Sequence, residues 1–313
     1  MFREIQPSQN HEALVPLALS LVPGMGNRGI HQFIALLEGH HYDISRLTTE
    51  RPASVCAHVP EALRFQRVLE HLARETLETA RQYIERASRS GLTVIHFKDR
   101  RYPDCLREFL EKDAPPVLFL YGAVSLLDNP GGAVVGTRFP TNTGLSAARY
   151  AAEALSGAGL TMVSGGAAGV DRAAHDAALS AGGSTIVFLP QGIEGFPLSE
   201  EWKEAMEEGK LLLASEYLPD APWRTYAAVS RNALIAAQSL LVCVIEPRKQ
   251  GGSVLTARHA MEQGKPVFIE PAGALSGTLK GYAQPLKSLR DMLDTMTTGG
   301  FNFHPRPRQS KLF

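Results

Sequence analysis

From Pro115 onward, short apolar runs alternate with longer amphipathic stretches, and few folds can accommodate that alternation. The runs are Val117 to Tyr121, Ala133 to Val135, Thr161 to Val163, Thr185 to Leu189, Leu211 to Ala214, Leu240 to Ile245 and Val267 to Ile269. They are too short for helices and are bounded by Gly and polar residues, which marks them as strands. Between them lie stretches with helical spacing, from about Gly144 to Gly157, Asp171 to Ala181, Ser199 to Gly209, Asn232 to Ser239 and Ser253 to Gln263. Strands that alternate with helices build parallel βαβ units, and a parallel sheet must be covered on both faces. The expected fold class is therefore α/β: a Rossmann-like parallel sheet with helices on both faces, over residues 114–296.

Residues 1–113 follow a different pattern. Leu14, Leu17, Ala18 and Leu21 keep helical spacing before Pro23, and Ile30, Phe33, Ile34 and Leu37 keep it afterwards. A PGMG turn separates them, so a helix–turn–helix hairpin opens a small helical N-terminal domain. Gly24, Gly26 and Gly29 match GxGxxG, but a helical pattern precedes them where a dinucleotide loop requires a strand. An amphipathic segment from about Glu61 to Ser90 stops at Gly91, and a strand is expected from Leu92 to Phe97. After residue 296 periodicity disappears, and 297–313 reads as a flexible tail with no winged-helix pattern.

The 313 residues suffice for two cores, and 32 Lys+Arg against 32 Asp+Glu leave a net charge of +0. That balance excludes a protein that coats polyanions through an overall basic excess, so any nucleic-acid site has to concentrate charge locally. No apolar run reaches the roughly 18 residues of a membrane span, and MFREIQPSQN lacks a signal-peptide core. A cytoplasmic protein without membrane contact is expected. Cys56, Cys105 and Cys243 are isolated, which points to neither a disulfide framework nor a cysteine zinc site, and no cofactor is expected.

Ligands of open parallel sheets bind at the carboxyl ends of the strands. There the chain places GTRFPTNTG after Val135, SGGAAGVD after Val163 and EPRKQGGS after Ile245, each opening a helix. Glycines admit close backbone approach and helix N-termini attract anions, so three such loops on one edge suggest a phosphate-binding surface. The candidates are Gly136, Thr137 and Arg138 in the first loop, and Ser164, Gly165, Gly166, Gly169 and Asp171 in the second. Arg248, Gly251, Gly252, Ser253 and Thr256 belong to the third, with Arg231 and Asn232 at an expected helix start. The arginines offer bidentate phosphate contact. Phe139, Phe196, Tyr217, Trp223 and Tyr226 are available to stack bases or to pack their loops. Lys265 precedes its strand and belongs to the opposite edge. Asp171 and His175, four apart on a helix, lack a third metal ligand, so cap and packing roles are expected. Without GxSxG, Walker A or HExxH sequences, no catalytic constellation is expected.

VVGTRFPTNTG, VSGGAAGVDRAAHDAAL, SEY followed by SRNALIA, and GGSVLTARHAMEQGKPVF occur in an order that resembles the DNA-processing protein A (DprA/Smf) family. LALSLVPGMG, RRYPDCL and PPVLFLYG extend the resemblance to about residues 14–275. The resemblance implies a homodimer that binds single-stranded DNA and passes incoming strands to the RecA recombinase in natural transformation. It places Arg138, Gly165, Gly169, Asp171, Arg231, Asn232, Gly252, Ser253 and Thr256 on the binding face. The chain departs from the family at Ala233, where a second basic residue is usual, at EPAG from Glu270 to Gly273, and in a short PQGIEGFP loop. A second reading is a nucleotide-binding sensor, since the GGS stretch is similar to the PGGxGTxxE of LOG-type phosphoribohydrolases. Arg258 stands where those enzymes carry a catalytic glutamate, which argues against hydrolysis.

Overall fold

The computed structural model describes residues 12–249, 251–271, 274 and 279–297, so the tail from residue 298 on lies outside the described residues. Within them the chain forms two compact units, one taking residues up to 102 with 111–120, the other 103–110 with everything from 121. The boundary read at 113/114 falls inside the second stretch of the first unit. Among the described residues no helix is long and apolar enough to cross a membrane.

The first unit opens with α1 (Leu14–Ser20) and α2 (Asn27–Gly39), joined by a turn in which Gly24 takes φ +78°. A helix, and not a strand, enters this glycine turn, so the dinucleotide pattern is incidental. After α3 (Pro52–His58), the Glu61 to Ser90 stretch is helical but uneven: α4 (Gln66–His71) and α5 (Leu77–Arg89) are linked through a wide turn at Leu72–Thr76. Strands β1 (Thr93–His96) and β2 (Val117–Gly122) pair antiparallel, Thr93 opposite Leu120.

The second unit contains α6 (Asp104–Leu110), then β3 (Gly131–Gly136), α7 (Asn142–Gly157), β4 (Thr161–Ser164), α8 (Val170–Ser180), β5 (Thr185–Leu189), α9 (Glu200–Glu207) and β6 (Leu211–Ser215). It continues with α10 (Thr225–Gln238), β7 (Ser239–Ile245), α11 (Gly252–Glu262), β8 (Val267–Glu270), β9 (Gln284–Pro285) and α12 (Leu289–Thr297). The order β6-β5-β4-β3-β7-β8-β9 is parallel throughout. The chain winds outward from β3 to β6 and then returns to β7 on the other flank of β3. This reversal opens a crevice at the carboxyl ends of β3, β4 and β7. Beneath it, Val134, Leu155, Met162, Leu241 and Phe268 pack with Leu289 and Leu293 of α12. Leu241, Cys243 and Ile245 of β7 and Leu289 and Leu293 of α12 thus fill the core of the second unit.

Lys265 lies at the opposite end of the sheet. Only 1% exposed, its Nζ donates to Ala236 O (2.7 Å) and Ala237 O (2.8 Å), the last carbonyls of α10, and sits 3.8 Å from the Phe109 ring centroid. Burial pushes the amine down to about 7, against weaker opposing effects of Cys105 and Glu108 on α6. Above about pH 7 the folded chain releases a proton that the unfolded chain keeps, so stability rises with pH until the ordinary lysine range. This group should contribute a slope approaching about 1.4 kcal/mol per pH unit between pH 7 and 9.5. Urea unfolding across that window should show the slope in the wild type and its loss in Lys265→Met; equal slopes would refute the assignment.

Candidate nucleic-acid interface

Three loops meet at the crevice, and each satisfies its backbone differently. After β3, the Thr137 N–H donates to Ile245 O (3.3 Å), Thr137 O accepts from Val170 N (3.1 Å), and Thr137 Oγ1 accepts from Phe139 N (3.2 Å). These bonds bury Thr137 beside Gly136 and turn Arg138 and Phe139 out to solvent. After β4, Ser164 Oγ donates to Val134 O (2.6 Å), and Gly166 and Gly169 take positive φ before α8. Asp171, in the first turn of α8, folds back to accept from Gly165 N (3.2 Å). Burial raises the Asp171 carboxyl above its ordinary range, while the Arg231 charge and loop N–H groups pull it down. After β7, Gly251 opens α11 in an extended conformation without a side-chain cap. Gly252 is exposed there, Ser253 is buried, and the Thr256 hydroxyl donates to Gly252 O (3.3 Å).

Helix α10 lies against two of these loops. It begins at Thr225, two turns before the start expected at Asn232, so Arg231 and Asn232 occupy its interior. The expectation failed because Tyr226 and Val229, in the opening turns, face solvent; an exposed apolar pair erases the amphipathic stripe by which a helix start is read. Arg231 is 6% exposed, and its Nε and Nη1 have no hydrogen-bond partner among the described residues. A Cβ at Gly165 would lie 1.3 Å from Arg231 Nη1, so any larger residue has to displace the buried guanidinium. The Asn232 amide reaches the other way, with Nδ2 3.4 Å from where a Cβ on Gly252 would sit. Burial lowers the Arg231 pKa; the Asp171 carboxylate opposes this, and the nearby positive charge of Arg138 adds to it. Two cations that face one crevice, one with unused buried N–H groups, are stabilised by an anion placed between them.

The outer rim is aromatic. Phe139 (79% exposed), Trp223 (44%), Tyr226 (69%) and Val229 belong here, leaving Leu63 as the one other exposed large apolar side chain among the described residues. The Arg138 guanidinium lies 5.7 Å from the Trp223 ring centroid and that of Arg248 lies 5.6 Å from Phe139. These contacts, worth about 0.5–1 kcal/mol each at exposed sites, tie the β3 loop to the β7 loop and to the β6–α10 loop that carries Trp223. Two other candidate aromatics do not contribute. Phe196 stacks on buried Trp202 at 5.9 Å, and half-buried Tyr217 has its phenol pKa raised by burial and by Glu216. His175 Nδ1 donates to Thr185 Oγ1 (2.6 Å), and burial pushes the ring down to about 3, so it is neutral packing against Trp202. Among the described residues no cluster of His, Cys, Asp or Glu could hold a metal.

An open parallel sheet with helices on both faces and its polar loops at one switch point defines a Rossmann-like α/β protein. More specifically, the chain belongs to the DNA recombination-mediator protein A family, whose sequence profile matches residues 93–296. It is 36% identical over 184 residues to DNA processing protein DprA of Streptococcus pneumoniae R6, covering 58% of this chain and 64% of that one. The corresponding Bacillus subtilis 168 protein is 32% identical over 205 residues, covering 64% and 68%. Protein Smf of Escherichia coli K12 is 36% identical over 162 residues, which span 51% of this chain and 43% of Smf. The crystal structure of S. pneumoniae DprA superposes with a TM-score of 0.67 at 25% identity, covering 94% of this chain and 99% of that one. DprA of Helicobacter pylori, whose structure was solved to explain its single-stranded DNA binding mode, matches at 27% identity and a TM-score of 0.55, covering 66% and 96%.

The contact between Gly165 and Arg231 should be sensitive to a single methyl group. Gly165→Ala is expected to destabilise the protein by about 1–3 kcal/mol, as overpacking does. Gly157→Ala, at the last residue of α7 where a Cβ meets nothing within 4 Å, serves as the control and should leave stability unchanged or slightly raised. Thermal or urea unfolding of the two variants checks this.

Proposed function

We propose that the strand-end face of the second unit binds single-stranded DNA, and that the chain protects strands and passes them to a RecA-type recombinase in transformation or recombination. One observation carries the binding: Trp223, Arg138, Phe139 and Arg248 alternate ring and guanidinium across three loops. A single strand alternates base and phosphate, so its bases can stack on rings while its phosphates meet the intervening cations. The H. pylori relative, whose structure concerns single-stranded DNA, supports the reading. The reading is of a binding role: the Ser164 hydroxyl and His175 Nδ1, a nucleophile type and a base type, are both committed to structural hydrogen bonds. Recombinase hand-off and homodimer formation rest on the family, and light scattering of the free protein tests the second.

The main test is oligo(dT) anisotropy at several salt concentrations. Arg138→Ala and Arg248→Ala should each weaken binding and reduce the log–log salt slope by about 0.7, the value for one single-strand phosphate. Phe139→Ala and Trp223→Ala should cost about 1–3 kcal/mol with the slope unchanged. Arg81, paired with Glu78 in the first unit, is the control and should be silent. Binding should also quench the fluorescence of Trp223, since the other tryptophan, Trp202, is buried. Wild-type affinity in both arginine variants would exclude this face.

A further inference from the structure

The chain's three strand-end loops are not equally open to a phosphate. In a Rossmann-like sheet the N-terminus of the helix that follows the strand at the switch point is the ready seat for a small phosphate. Here that helix is α7, which follows β3 beside β7. We propose that Glu246 is a specificity-determining residue whose carboxylate occupies the α7 N-terminus and denies that seat to mononucleotides and free phosphate.

Glu246 is the first residue after β7 and takes φ +44°, a region that disfavours side chains other than glycine's. Its N–H donates to Glu270 O (2.7 Å), which holds the backbone in that turn. The side chain crosses to the β3 loop, where Oε2 accepts from Thr141 N (2.9 Å) and Oε1 accepts from the Thr141 hydroxyl. Thr141 Oγ1 in turn accepts from Gly144 N (3.1 Å). A Cβ on Gly144 would lie 2.5 Å from Glu246 Cδ, so the carboxylate rests on the backbone of the first helical turn. Both loops are shaped to one another: a strained non-glycine residue on one side, a glycine without room for a methyl on the other. The resident carboxylate already complements the helix dipole and would repel a second anion brought to the same place.

Asp171 turns its carboxylate back into the β4 loop, where it accepts from Gly165 N, ahead of α8. Of the three, only α7 begins with a side-chain cap; α8 and α11 begin at Gly169 and Gly251 without one. A mononucleotide that needs the α7 seat is therefore excluded, whereas a strand laid across the outer rim does not need it.

The probes are inorganic phosphate and AMP, read by thermal unfolding and calorimetry against chloride at equal ionic strength. The wild type should bind either probe at least about tenfold more weakly than Glu246→Ala, since it offers only the Arg138 and Arg231 side of the crevice. Glu246→Ala, which opens the seat, should melt lower without anion and recover saturably with phosphate, with an affinity at least about tenfold above wild type. Glu246→Gln, which keeps the shape and an acceptor but removes the charge, should gain less and lose little stability. AMP binding by the wild type as tight as by Glu246→Ala overturns the proposal. So does the absence of any phosphate gain in Glu246→Gln and Glu246→Ala, including the case in which Glu246→Ala fails to fold and Glu246→Gln gains nothing. Oligo(dT) binding by the wild type is measured alongside: its loss would refute the DNA face and leave the anion result standing.

Discussion

The Arg231 guanidinium, buried against Gly165 and beside the Asp171 carboxylate, organises the strand-end crevice. Its position requires three things at once: a glycine without room for a methyl, a carboxylate that partly compensates a buried charge, and a helix continuous through Arg231. An isolated buried cation is costly, and a neighbouring carboxylate offsets only part of that cost. Its Nε and Nη1 have no hydrogen-bond partner among the described residues, so the crevice retains unmet hydrogen-bonding capacity for an anion. Helix α10 delivers this group, and it is held at its far end by Lys265, whose amine caps the last carbonyls. The same helix presents Tyr226 and Val229 to solvent on its opening turns. A buried cation and an exposed apolar rim are thus two faces of one element.

Charge in this protein is arranged by position and not by excess. With 32 basic and 32 acidic residues the long-range field is close to neutral. What matters is where carboxylates meet helix N-termini. The Glu246 carboxylate takes the Thr141 N–H at the start of α7, and Asp171 takes the Gly165 N–H in the β4 loop, backbone groups that would otherwise wait for a ligand. Arg138 and Arg248 stand outside them, exposed and lying over aromatic rings. The crevice is therefore partly closed to anions along its inner wall and cationic along its rim.

The strands were legible in the sequence because a parallel sheet buried on both faces requires continuous apolar runs, and Thr185–Leu189 matches its run end to end. The helices between were legible wherever one face is apolar. The start of α10 was not, since its exposed residues are those that an apolar pattern assigns to the core. Arg138, Arg231 and Arg248 were legible as members of one edge, but their depth was not: periodicity places a residue on a face and cannot tell an exposed arginine from one packed on a glycine. Phe139 and Trp223 could not be separated from Phe196 and Tyr217 for the same reason. Glu246 was missed altogether, because its partners Thr141 and Gly144 stand more than a hundred residues earlier and meet it only through the order of β3 and β7.

That contact between the β3 and β7 loops bears on how one fold can serve different ligands. Three glycine loops on one edge are compatible with a mononucleotide, a dinucleotide or a strand, and glycine content alone does not decide among them. The decision comes from what already occupies each helix N-terminus. A small ligand takes most of its affinity from one deep phosphate seat, so a single carboxylate in that seat removes most of the binding. A polymer spreads its affinity over several shallow contacts with rings and guanidinium groups, none of which requires the seat. Closing the inner wall while furnishing the rim therefore shifts preference from small nucleotides toward strands without changing the order of the sheet, the placement of its loops or the net charge of the chain.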